Sequence, residues 1–347
     1  MSYSSENVLA LGTRIVDVRD LVKLLGFKPW YRALLSDEVG RIEQFYWHDE
    51  VDYRSWGGIE LGIFKDRENR VIVETRSMAG RSYFDLQHQN LTISTLRKRF
   101  GGTFRTDEGK GRYMKVEGEP PPAPASGCFL AFSRFGGNLI KAGIYLQSRV
   151  FPNHPADIHK NDPIPDYNPR VVANNTLVPF LVAASEEYFK STWVAITRYS
   201  ANKEAIFKSY RLQGNQLLAV ANGLRSIEEQ IAETLSFQRL SSVCANFKQV
   251  DAKLDIYGAL RRPYRRRTVS LFESIERMVE SRHDLIHRAT LDETLTDDRI
   301  HELIYDLEAA VERVYRRVTD HYGWFFDKSW GLGRRLPRRR VKAAPPV

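Results

Sequence analysis

Arg282-His283-Asp284-Leu285-Ile286-His287 closes a helical pattern that otherwise reads as apolar. The residues before it include Val269, Leu271, Phe272, Ile275, Met278 and Val279. Counting by threes and fours from Leu271 gives Ile275, Met278, Arg282 and Leu285, so a guanidinium falls where the period asks for a core residue. Burying an arginine is costly unless it is paired, so this position is either a salt bridge or a site. Glu186, Glu187 and Asp306 are the carboxylates within the helical half that would serve the first reading.

Around the motif the chain is helical in texture. Residues 176–199 carry Leu177, Leu181, Ala184, Tyr188 and Ala195 on one stripe, with Pro179 in the first turn. A short helix is expected over 202–210, and a longer one over 217–235 with Leu217, Val220, Leu224, Ile227 and Ile231 in register. Residues 237–250 read as short helix and turn, and 265–285 as the helix that carries the motif. The last helix, 298–318, places Ile300, Leu303, Ile304, Leu307, Val311, Val314 and Val318 at helical spacing, with Thr296, Asp297 and Asp298 as N-cap candidates. Long helices joined by short loops predict an up-and-down bundle over 171–323.

Residues 1–150 read as an α+β domain. Ile59–Phe64 and Arg70–Thr75 flank the turn-forming Lys65-Asp66-Arg67-Glu68-Asn69, which predicts a hairpin. A short helix is expected near Val18–Leu25, and a second over 86–100 that stops at Gly101-Gly102. Thr103–Thr106 and Arg112–Val116 read as a strand pair, the proline-rich 118–127 as an exposed loop, and Phe129–Phe132 and Ile144–Leu146 as two further strands. Pro152, Pro155, Pro163, Pro165 and Pro169 mark residues 151–170 as a linker, and 324–347 form an aromatic and basic tail.

The formal net charge is +9 and the pI about 9.4, so the surface will attract polyanions, although basicity alone does not establish nucleic-acid binding. Cys128 and Cys244 are too few for a disulfide framework or a zinc cluster. The opening MSYSSENV lacks the basic and apolar regions of a signal peptide, and no apolar run approaches the ~20 residues of a membrane helix. A soluble, cytoplasmic protein without a membrane partner is the expectation.

The motif resembles the R-x4–6-H signature of HEPN domains (higher eukaryotes and prokaryotes nucleotide-binding), written here as Arg282-x4-His287 with the polar His283 directly after the arginine. The resemblance covers roughly 171–323. Glu186-Glu187-Tyr188-Phe189 in the opening helix, and Ser236-Phe237-Gln238-Arg239-Leu240 with Phe247-Lys248 ahead of the motif helix, add to it. The first half carries no such resemblance. Membership would imply an all-helical bundle, metal-independent cleavage of RNA, no cofactor, and a homodimer in which two motifs face each other across a groove. It also suggests a toxin or antiviral-defence effector, with the first domain sensing a trigger or meeting a neutralising partner.

The residue types suit that chemistry. An RNA strand carries its own nucleophile, the 2′-hydroxyl, beside each phosphodiester. Cleavage needs a proton removed there, charge stabilised at phosphorus and a proton given to the leaving oxygen. His287 would act as acid or base, Arg282 would hold the phosphorane, and His283 would orient one of them. Positions five apart lie about 140° around an ideal helix. Either the helix ends between Arg282 and His287, or a second subunit completes the site.

Competing signals are weaker. His283-Asp284-Leu285-Ile286-His287 also reads as H-D-x-x-H, near the zinc-hydrolase H-E-x-x-H, but it has a shorter acid and no third ligand pattern, so no metal is expected. The glycines at 101–102 and 109–111 match no phosphate-binding loop. Arg261, Arg262, Arg265, Arg266 and Arg267, interleaved with Tyr264, precede the motif helix and are the candidate RNA-binding residues. The alternative is a non-catalytic HEPN-like dimerisation or RNA-binding module, with the activity or the partner contact in the first domain.

Overall fold

The computed structural model describes residues 2–30, 41–49, 51–148, 169–265 and 267–326. They fall into two compact units, one within Met1–Pro121 and the other Pro122–Phe326. No helix among the described residues is long and apolar enough to cross a membrane.

The first unit is an antiparallel sheet with two helices. Its elements are β1 (Tyr3–Val8), α1 (Ile15–Leu24), β2 (Lys28–Pro29), β3 (Arg41–Trp47), β4 (Ile59–Lys65), β5 (Val71–Ser77), α2 (Tyr83–Phe100), β6 (Thr103–Thr106) and β7 (Gly109–Lys110). The strands lie in the order β2-β3-β4-β5-β1-β6-β7. The expected hairpin is present: β4 and β5 pair from Ile59↔Ser77 to Lys65↔Val71. Asp66 closes its turn by accepting the Glu68 and Arg70 amides at 2.9 and 2.8 Å.

Alternation along the strands gives the sheet two unlike faces. Leu61, Ile63, Val71 and Val73 are buried with Val18 and Val22 of α1 and Leu96 of α2. Ser4, Glu6, Glu74, Arg76 and Arg105 point the other way and are exposed. The N-terminus of α2 is fixed by a capping box between Ser82 and Asp85. The buried Asp85 carboxylate also accepts from Ser55 Oγ at 2.5 Å and from the Trp56 amide at 3.1 Å. Past the end of α2, a Cβ on Gly102 would collide with the Val8 carbonyl, and its φ of +89° suits glycine.

Four expectations for this half are corrected, one being the exposed loop over 118–127, of which residues 123–127 open a helix and Ser126 and Gly127 are buried. Residues 112–116 form no strand; β6 pairs instead with β7, through Arg105↔Lys110 and Thr106↔Gly109. The Asn90 side chain takes both backbone groups of Met114, at 2.8 and 2.9 Å, so a side-chain amide replaces the ladder. Phe129–Phe132 and Ile144–Leu146 are not strands either. They belong to one helix, α3 (Ala123–Ser148), whose buried Cys128, Phe132, Phe135, Leu139, Ala142 and Leu146 recur every three or four residues. The division between units therefore falls at Pro121–Pro122, inside the proline run, with Pro124 in the first turn of α3, where a missing N–H costs nothing. Of the expected linker, 151–168 lie outside the described residues.

The second unit continues with α4 (Pro169–Arg198), α5 (Lys203–Ser209), α6 (Gly214–Ala221), α7 (Ile227–Thr234), α8 (Leu240–Val250), α9 (Ile256–Arg261), α10 (Leu271–Arg288) and α11 (Asp297–Tyr322). The fold class is thus an α+β region followed by a helical one. The long helices α3, α4, α10 and α11 pack on one another. Phe132 of α3 stacks on Tyr315 of α11 at 4.6 Å, and Tyr188, Phe189 and Trp193 of α4 are fully buried. Because α4 begins at Pro169, Pro179 sits in its interior rather than in its first turn. The helix expected over 217–235 is two: Gly223 turns at φ +65°, and Ser226 with Glu229 caps α7. Thr296 caps α11 as expected, accepting from the Arg299 amide at 3.3 Å.

Candidate functional site

The motif occupies the last turns of α10. That helix starts at a capping box, Ser270 with Glu273, and buries Leu271, Phe272, Ile275, Met278 and Val279. It runs unbroken to Arg288 and ends on Ala289 in the left-handed region. The helix therefore does not end between Arg282 and His287, and within one chain the two stay on different faces, about 140° apart.

Arg282 is half-buried, as its place in the apolar period requires. None of the expected carboxylates meets it. Asp306 accepts from Arg267 and Ser274, each at 2.6 Å, and Glu187 accepts from Ser191 at 2.8 Å. The Gln238 amide, turned with its oxygen toward the guanidinium, accepts from both terminal nitrogens of Arg282, from Nη2 at 3.2 Å. A neutral acceptor fixes the arginine while leaving its charge uncancelled.

His283 and His287 share an exposed face one turn apart, their ring centroids 4.4 Å from each other and their planes at 48°. Asp284 is paired with Arg288 at 3.2 Å, beside the histidines rather than between them. Ile286, 49% exposed, is the apolar residue of the same turn. Among the described residues no group of three or more His, Cys, Asp or Glu side chains is placed to hold a metal ion. His301 lies on α11, where its Nδ1 is 2.8 Å from the Asp297 carbonyl oxygen.

The basic cluster is brought together at the end of α9 and on the loop before α10. Arg261 lies over Tyr257 and Phe272, with distances of 4.9 and 5.4 Å to the ring centres. Tyr264 is ringed by Arg265, Arg267 and Arg313 at 5.0, 5.0 and 5.3 Å. Arg313 of α11 anchors this loop by donating to the carbonyls of Arg262 and Pro263 at 2.8 and 2.9 Å. Arg265 holds φ at +50° and also lies 5.9 Å from the Tyr305 ring. Arg267 is engaged inside the bundle by Asp306, whose hydrogen bond raises its pKa further above the ordinary arginine value. Arg266 lies outside the described residues.

The sequence pattern missed Gln238 as the partner of Arg282, and it missed Arg313 and Tyr305 as members of the basic surface. Gln238 stood within the segment that carried the family resemblance, but nothing local in the sequence connects it to a helix some forty positions later. Comparison of the chain with protein-family profiles, curated proteins and solved structures finds no match.

Proposed function

We propose that this protein is a metal-independent endoribonuclease of HEPN type, acting as a homodimer. One observation supports the reading most. The unbroken α10 presents His283 and His287 to solvent while Arg282, held by Gln238, keeps its charge on another face of the same turns. Such an arrangement suits a site completed by a second copy, in which Arg282 of one chain meets His287 of the other across a groove. His287 then moves the proton of the 2′-hydroxyl or of the leaving oxygen, Arg282 bears the phosphorane charge, and His283 steadies the phosphate. Arg261 and Arg265, which lie over the rings of Tyr257, Tyr264 and Tyr305, would hold the strand by its phosphates, and those rings would stack its bases.

In this reading the protein is a toxin or antiviral-defence effector, and the first unit receives a trigger or a neutralising partner. The exposed polar face of its sheet is the surface available for that role, a groove of about 740 Å³ lined in part by Glu6, Glu60, Glu74, Arg76 and Arg105.

A second reading is a non-catalytic RNA-binding or dimerisation module. The tie between Gln238 and Arg282 favours it, because the same contact also satisfies a structural arginine. The deciding experiment is cleavage of labelled RNA, with EDTA present, by the full chain and by its His287→Ala and Arg282→Ala variants. Loss of cleavage in both, with folding and oligomeric state unchanged, supports the nuclease. Binding of RNA without turnover by the unaltered chain supports the second reading. Cleavage of DNA under the same conditions overturns the 2′-hydroxyl mechanism.

A further inference from the structure

A cleft of about 480 Å³ opens beside the first turns of α10 and α11, away from the motif residues. Arg267, Thr268, Ser274, Arg277, Arg299 and Glu302 line it. Three guanidinium groups around one small cleft repel one another unless acids or a ligand compensate them. The acids on hand are already matched. Arg267 pairs with Asp306 at 2.6 Å, and Arg299 with Glu302 at 2.7 Å. Arg277 has no ion pair among the described residues. Glu273, which feels its charge, is held by the Ser270 amide and hydroxyl at the helix cap. In addition, Arg267 Nε is buried without a hydrogen-bond partner, a state that costs free energy unless something else supplies an acceptor.

We propose that this cleft binds a backbone phosphate of the RNA strand, with Arg277 as its principal contact and Arg267 and Arg299 as its walls. The inference rests on the ribonuclease reading and adds to it a second grip on the same strand. Arginine suits the task because its planar fork presents paired donors to phosphate oxygens. The placement also suits a strand. Arg277 and His287 are ten residues apart on one unbroken helix, about 15 Å along its axis and about 80° around it. A strand seated at both would put the gripped phosphate a few nucleotides from the one that is cut. The cleft would then set which phosphodiester reaches the histidines, and Arg277 is a positioning residue rather than a catalytic one.

The test is RNA binding by the full chain carrying His287→Ala, which prevents turnover, with and without Arg277→Gln. Anisotropy of a labelled single-stranded RNA is followed across a salt series. Arg277→Gln is expected to weaken binding several-fold and to reduce the salt slope by about one, the signature of one lost phosphate contact. Arg277→Lys, which keeps the charge, is expected to restore most of the affinity. A second arm measures the thermal midpoint of the unaltered chain and of Arg277→Gln with inorganic pyrophosphate. RNA affinity unchanged by Arg277→Gln overturns the cleft and leaves the nuclease reading standing. Absence of RNA binding, with pyrophosphate stabilising the unaltered chain alone, overturns the RNA assignment in favour of a free phosphate ligand. Absence of both effects overturns the site altogether.

Discussion

Arg267 donates to Asp306 at 2.6 Å while the Ser274 hydroxyl donates at 2.6 Å to the other oxygen of the same carboxylate. The buried Asp306 thereby ties the arginine-rich loop, α10 and α11 together. This arginine was expected to bind RNA, and its primary engagement is internal. Arg267→Met leaves a buried carboxylate with one donor, so it is expected to destabilise the chain by about 1–3 kcal/mol. Partial solvent access of the arginine keeps the cost toward the lower end. Urea unfolding measures it, and an unchanged midpoint would remove the pair from any structural role.

His88 stacks on Trp47 at 4.0 Å with nearly parallel rings, and burial pushes its pKa down to about 4. Between that value and the usual 6.5, the unfolded chain binds a proton that the folded chain does not. Stability therefore falls as pH drops through 6.5 toward 4, by up to about 3 kcal/mol. His88→Phe is expected to flatten the slope in that window when unfolding is followed at several pH values. A slope that persists unchanged assigns it to other groups.

Gln238 is a positioning residue for Arg282 in the proposed site. Gln238→Ala is expected to slow single-turnover RNA cleavage about tenfold, the effect of roughly 1.4 kcal/mol on the barrier. Circular dichroism should be unaltered, since both side chains are only half-buried. Cleavage at the original rate would mean that Arg282 needs no such support.

Ile286 lies exposed between His283 and His287 on the last turn of α10. In a homodimer that closes over this turn, Ile286→Glu places unpaired charges in the interface. Sedimentation is expected to show a shift to monomer, accompanied by loss of cleavage. A monomer that still cleaves RNA would contradict the shared site.

The sequence was most legible where one local rule acted alone. The apolar period of α10 and α11, the Asp66 turn and the glycine stop after α2 follow from neighbouring residues. Reading failed where short apolar runs fit either a strand or a buried helix, as at Phe129–Phe132, because the period of α3 emerges only over its whole length. It failed again at 112–116, where Asn90 from a distant helix supplies the hydrogen bonds that a strand partner would give. At the candidate site, the residues of the motif and their place at the end of an amphipathic helix were legible, whereas the exposure of the two histidines is a finding of the structure. The partner of Arg282 was not, because it comes from a distant part of the chain.

The assignment of α3 to the helical unit has a practical consequence for dissecting the protein. A fragment cut at residue 171, where the prolines of the sequence invite the cut, would strip α3 from α4 and α11. Phe132 and Phe135 would be discarded, and the rings of Tyr188 and Tyr315 that meet them would face water. Such a piece is expected to be recovered as aggregate, and its inactivity would say nothing about the motif. A fragment beginning at Pro122 keeps that seam closed and is the one in which a silent first unit can be told from a broken second one.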